Sequence, residues 1–81
     1  MKVTVRLFAS FREAAGTPHH VAELAPGTTV SQLWGQLVEL HPRLGPMSRS
    51  AAFAINGTYT RTDATLHEGD EVAFLPPVSG G

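Results

Sequence analysis

The sequence predicts an α+β domain, a mixed sheet of about five strands packed on one main helix. Three observations carry this prediction. Residues 2–8 (KVTVRLF) alternate strictly between polar and apolar side chains, the period of a half-buried strand. Residues 30–40 repeat their apolar side chains at i, i+3, i+4 and i+7, which is one stripe of a helix. Between residues 52 and 75, short apolar segments are parted by Asn56-Gly57 and Glu68-Gly69-Asp70, both of which read as turns.

In the first strand Val3, Val5 and Leu7 point one way, and Lys2, Thr4, Arg6 and Phe8 point the other. Ser10, with Glu13 three residues on, reads as the capping box of one short helical turn that Gly16 and Pro18 halt. His20 to Leu24 alternates more weakly and is expected to form a hairpin with the first strand; Pro26-Gly27 ends it. Thr29 caps the main helix and Gln32 completes a second capping box. Val30, Leu33, Trp34, Leu37 and Leu40 form its apolar stripe, with Trp34 expected in the core. Gly35 costs a helix about 1 kcal/mol relative to Ala, so it is expected to mark a tight helix–sheet contact. Pro42 stops the helix after His41, and Arg43 to Ser50 reads as a loop.

Ala52 to Ile55 is the third strand, with Phe53 and Ile55 on the core face. Asn56-Gly57 then turns the chain, since both central positions of that turn require positive φ. A short strand from Thr58 to Arg61 follows. Leu66 precedes the Glu68-Gly69-Asp70 turn, and Glu71 to Leu75 is the last strand. One amphipathic helix buries its stripe on one face of one sheet. The first and last strands carry the best alternation and are placed as parallel neighbours at its centre. That arrangement is the β-grasp, or ubiquitin-like, architecture. It spans residues 1–75, and residues 76–81 form an extended tail, a flexible extension ending in Gly-Gly.

Composition narrows the function. At 81 residues there is room for one core, and 42% hydrophobic with 16% charged residues is a folding composition. Six Lys+Arg against seven Asp+Glu leave no basic excess, so no nucleic-acid partner is expected. No apolar run approaches the roughly 20 residues that span a bilayer, and Lys2 and Arg6 interrupt any secretory pattern. The expected location is the cytoplasm, away from membranes. Cysteine is absent, which excludes disulfides, thiolate metal sites and a cysteine nucleophile within the sequence. A core this small supplies about 3–5 kcal/mol, little margin for a buried catalytic cleft. The arithmetic favours a binding or carrier module over a self-sufficient enzyme.

Side-chain constellations add little. His19 and His20 are adjacent and face opposite ways, His41 ends the helix and His67 lies in a loop, so no metal site is expected. Glu68, Asp70 and Glu71 read as turn chemistry with a solvated rim, since an acid–base pair needs a cleft and a perturbed pKa. The ending differs. Pro76-Pro77 stiffens the exit from the last strand, and Gly80-Gly81 presents a carboxylate on residues without Cβ, narrow enough to thread a tight channel. That carboxylate is the one group a partner enzyme can activate: attack on ATP gives an acyl adenylate, open to a sulfur nucleophile.

The block GDEVAFLPPVSGG (residues 69–81) and the opening LFASFREAAG (residues 7–16) resemble the small subunit of molybdopterin synthase, a ubiquitin-like sulfur carrier. The helix and the Ile55-Asn56-Gly57 hairpin fall where that family has them, so the resemblance covers essentially the whole chain. Leu75 departs mildly, standing where many members carry a second phenylalanine. The resemblance implies that a ubiquitin-activating-type enzyme, using ATP, adenylates Gly81 and that a sulfur donor system converts it to a thiocarboxylate. The tail (Pro76, Pro77, Val78, Ser79, Gly80, Gly81) then inserts into the large synthase subunit. Sulfur passes to a cyclic pyranopterin precursor in molybdenum cofactor biosynthesis. The chain itself binds no cofactor and is no enzyme alone, the catalytic side chains being the large subunit's. Two small chains on a large-subunit dimer are implied.

Strand alternation adds a docking surface. Val72 and Phe74 face the core, leaving Ala73 and Leu75 on the other face with Phe8, so that Phe8 and Leu75 form an apolar patch beside the tail with Arg12 as a rim cation. Other readings remain: a sulfur carrier for another acceptor (thiamine thiazole, a tRNA base, a cysteine precursor), a modifier joined to protein lysines, or a plain interaction domain. The Pro-Pro-Val block argues against another acceptor.

Overall fold

The computed structural model describes residues 1–76. Five strands, β1 (Lys2–Leu7), β2 (His19–Glu23), β3 (Ala52–Ile55), β4 (Thr58–Tyr59) and β5 (Glu71–Leu75), form one mixed sheet in the order β2-β1-β5-β3-β4. The first and last strands are parallel central neighbours (Thr4 opposite Glu71, Leu7 opposite Phe74), and the other pairings are antiparallel. This is the β-grasp arrangement.

The alternation of β1 is realised: Val3, Val5 and Leu7 are buried, as are Val72 and Phe74 of β5. They pack with Val30, Leu33, Trp34 and Leu37 of helix α2 (Val30–Leu40). Trp34 is the hub. Its ring lies 5.4 Å from Phe11, 6.1 Å from Phe53 and 5.1 Å from Phe74, tilted or edge-on, the arrangement aromatic quadrupoles prefer. Its indole N–H donates to Ser48 Oγ at 2.7 Å, so the one polar atom of the hub is satisfied. Helix α2 opens with the expected capping box: Gln32 N donates to Thr29 Oγ1, and Thr29 N to Gln32 Oε1. Asn56 (φ 51°) and Gly57 (φ 87°) make the two-residue turn between β3 and β4.

Several expectations change. Ser10 is not the N-cap: helix α1 (Ala9–Ala15) starts two residues earlier, with Phe8 at its N-cap and no side-chain cap, and is seven residues long. Gly35 marks no tight contact. It faces solvent, and a Cβ placed on it meets nothing within 4 Å. Leu40 lies on the stripe by spacing but is 60% exposed, because the helix ends there. The segment read as a loop is a 3-10 helix, Pro42–Ser50, whose Leu44 is fully buried. The fourth strand stops at Tyr59; Arg61 lies beyond it and pairs with Asp63 at 3.4 Å.

Candidate functional site

The route to the chain's end runs through the middle of the sheet. β5 is bonded on both sides, by β1 and β3, so its last residues are held in fixed register, with Leu75 opposite Ala52. Pro76 follows, half-buried. Pro77, Val78, Ser79, Gly80 and Gly81, the rest of the expected site, lie outside the described residues.

Phe8 follows the end of β1, and Leu75 ends the neighbouring strand β5. Leu7 opposite Phe74 is the last register pair between the two strands, and Phe8 and Leu75 each follow it directly. Phe8 is 39% exposed and Leu75 half-buried, on the face away from α2. Phe8 reaches that place as the N-cap of α1 and not as a strand residue: its backbone is extended (φ −120°, ψ 150°), and its carbonyl accepts from Phe11 N at 3.0 Å. The next residue, Ala9, turns the chain at φ 50°. A left-handed alanine costs about 1 kcal/mol, so strain is stored directly beside the patch. Arg12 is exposed in the last turn of α1 and makes no ion pair among the described residues.

The register also reveals a part of this face that the sequence reading missed. Pairings His19–Arg6, Arg6–Ala73, Ala73–Ala54 and Ala54–Tyr59 draw one row across all five strands. With Ala52 opposite Leu75, three alanines, Ala54 buried at 6% exposure and Ala52 and Ala73 half-buried, form a low floor between Leu75 on one side and Tyr59, 74% exposed, on the other. The available signal was alanine at the alternate positions 52 and 54 of a strand. Only Phe53 and Ile55, on the other face, were read as carrying information.

The acidic residues do turn work. Glu68 Oε1 accepts from Lys2 N at 3.0 Å, Asp70 Oδ2 accepts from His67 N at 2.8 Å, and Glu71 pairs with Arg6 at 3.5 Å. Among the described residues no group of three His, Cys, Asp or Glu side chains is disposed to hold a metal ion. No helix among them is long and apolar enough to cross a membrane.

Comparison with known proteins agrees with this geometry. The model of the ThiS family matches residues 5–81. The molybdopterin synthase sulfur carrier subunit of Chlamydomonas reinhardtii is 39% identical over 83 residues, covering all of both chains. That of Mycobacterium tuberculosis is 39% identical over 82 residues, covering 100% of this chain and 99% of the relative. The solution structure of small archaeal modifier protein 1 from Methanosarcina acetivorans superposes with a TM-score of 0.82 at 33% identity, covering 99% of this chain and 96% of that one. The chain belongs to the ThiS family of ubiquitin-like proteins, and along its whole length it is similar to molybdopterin synthase sulfur carrier subunits.

Proposed function

We propose that the chain is the sulfur carrier subunit of a cytoplasmic molybdopterin synthase, with residues 1–75 as the docking domain and residues 76–81 as the carrier arm. The observation that supports this most is similarity to such subunits through the full length, in a chain ending Gly80-Gly81. A carboxylate oxygen of Gly81 attacks the α-phosphorus of ATP on an adenylating enzyme, and pyrophosphate leaves. A sulfide-equivalent nucleophile from a donor system then displaces AMP and leaves a thiocarboxylate. The arm carries it into the large subunit, where the sulfur passes to cyclic pyranopterin monophosphate and water restores the carboxylate. The chain binds no cofactor of its own; ATP belongs to the adenylating enzyme and the catalytic side chains to the large subunit.

The position of β5 supports the reading mechanically. A strand bonded on both edges anchors the arm, so docking through Phe8, Leu75 and Pro76, with Arg12 at the rim, fixes where the arm starts. The same patch serves the adenylating enzyme and the large subunit in turn.

Intact-mass spectrometry tests this. After ATP, adenylating enzyme and a sulfur source, the chain gains the mass of oxygen replaced by sulfur, and loses it when large subunit and pyranopterin precursor are added. A gain that persists moves the acceptor elsewhere, to a thiazole, a tRNA base or a cysteine precursor. With all components active, no gain rejects the carrier reading. The similarity to an archaeal modifier supports a second activity, attachment of Gly81 to protein lysines, which an isopeptide-linked ladder on a denaturing gel reports.

A further inference from the structure

Asn56 is the only asparagine in the sequence, and it is followed by glycine. That dipeptide invites deamidation, because nothing on Gly57 shields its backbone nitrogen. The nitrogen attacks Asn56 Cγ, ammonia leaves and a cyclic succinimide forms. Water then opens the ring to aspartate or isoaspartate, so the net change is exchange of the amide NH2 for oxygen.

The structure places this carboxamide in a latch. Asn56 Nδ2 donates to Asp70 Oδ1 at 3.0 Å, and Asn56 Oδ1 accepts from Glu71 N at 2.9 Å. The backbone N–H of Asn56 donates to Glu71 O at 2.8 Å. Asp70 is itself anchored: its side chain is 14% exposed, and its second oxygen accepts from His67 N at 2.8 Å. The carboxamide is therefore turned toward the start of β5, and both of its hydrogen bonds must break before it can rotate toward Gly57 N. We propose that Asn56 is a hydrolytic modification site of this protein, held off in the folded state by Asp70 and Glu71 and reached when the β3–β4 turn opens.

Modification is then self-reinforcing. The aspartate product replaces a donor with a carboxylate facing the carboxylate of Asp70 across the same 3.0 Å, a like-charge contact at a largely buried partner, and isoaspartate, whose side-chain carbon has become part of the main chain, loses the donor altogether. Isoaspartate also lengthens the backbone within a two-residue turn whose register holds Tyr59 opposite Ala54. The latch would not re-form, and the hairpin carrying the Tyr59 side of the open face would loosen.

The test is the rate of product formation at Asn56 in the full chain, held folded in mildly alkaline buffer. It is read by peptide mapping and by labelling with an isoaspartyl methyltransferase. The folded chain is expected to react at least tenfold more slowly than the same chain in urea, since the latch must open first. Asp70→Ala is expected to raise the folded-state rate about fivefold, the value of one lost hydrogen bond. Equal rates folded and in urea overturn the proposal. So does an Asp70→Ala variant that remains folded by circular dichroism and reacts no faster than the parent. The comparison in urea needs no variant, so it stands even where Asp70→Ala fails to fold.

Discussion

The two faces of the sheet are built from the same strands and share almost nothing else. Toward α2, β1 and β5 present Val3, Val5, Leu7, Val72 and Phe74, each 2% exposed or less, sealed by an aromatic cluster around Trp34. Toward solvent the same strands present Lys2, Thr4, Arg6, Glu71, Ala73 and Leu75, a low surface with a few apolar projections. The inner face holds the fold and the outer face is free to be a contact surface. A period of two lets adjacent residues in one strand do both jobs, so the assignment can be tested one residue at a time.

The largest effect is expected at Phe74, between Trp34 at 5.1 Å and Phe53 at 5.2 Å. Phe74→Ala should cost about 3–5 kcal/mol through lost burial and the cavity left behind. That equals the whole stability a domain this size is expected to have, about 3–5 kcal/mol. The variant should show no cooperative urea transition at room temperature by circular dichroism. A transition close to that of the parent would mean the cluster is not the keystone of the inner face.

One residue further along, Leu75→Asp inverts the pattern. Leu75 is half-buried and outside the core cluster, so the expected stability loss is below about 1 kcal/mol. Affinity for the large subunit and for the adenylating enzyme should each fall about 30-fold, as for a hot-spot side chain. Calorimetric titration of both partners checks this, with Phe8→Asp as an independent probe of the same patch. Unchanged binding to both would remove the open face from the proposed docking mechanism.

Helix α2 offers the same contrast in a smaller measure. Gly35 stands on its solvent side with open space around a would-be Cβ and φ outside the left-handed range, so Gly35→Ala has only helix propensity to change. A gain of about 0.5–1 kcal/mol is expected in urea unfolding. A loss would show that this side of the helix has a packing role after all.

Much of the fold was legible because alternation and stripe are direct records of burial. The central parallel pair, the capping box at Thr29 and the Asn56-Gly57 turn all follow from side chains whose local chemistry permits few alternatives. The misreadings have physical causes. Among the described side chains of the 3-10 helix only Leu44 is fully buried, set among Pro, Gly, Met, Ser and Arg, so no periodicity announces it. Leu40 satisfies the spacing of a stripe but stands where the helix ends, and periodicity records direction without depth. Gly35 was read through its cost alone, although it lies off the stripe of Leu33, Trp34 and Leu37 and so had to face outward. Of the proposed docking face, the apolar positions Phe8 and Leu75 follow from strand alternation alone. Its alanine floor was not legible, because the three alanines belong to two different strands and only the β3–β5 register joins them.

The smallest expected effect is the most exacting test of the contrast. Arg6 and Glu71 form an ion pair at 3.5 Å on the open face, with side chains 48% and 51% exposed. Water competes for both groups, and salt at physiological strength screens them over about 8 Å. Arg6→Ala should therefore shift stability by less than about 0.5 kcal/mol, with little dependence on salt. Arg6 also stands beside Ala73 in register, so its aliphatic stem is the one long side chain placed to cover the alanine floor from that strand. If urea titration instead gives a loss well above 1 kcal/mol that persists in high salt, the cause is that cover and not the charge. The open face would then be partly a packed layer in the free protein, and any partner docking there would first have to displace Arg6.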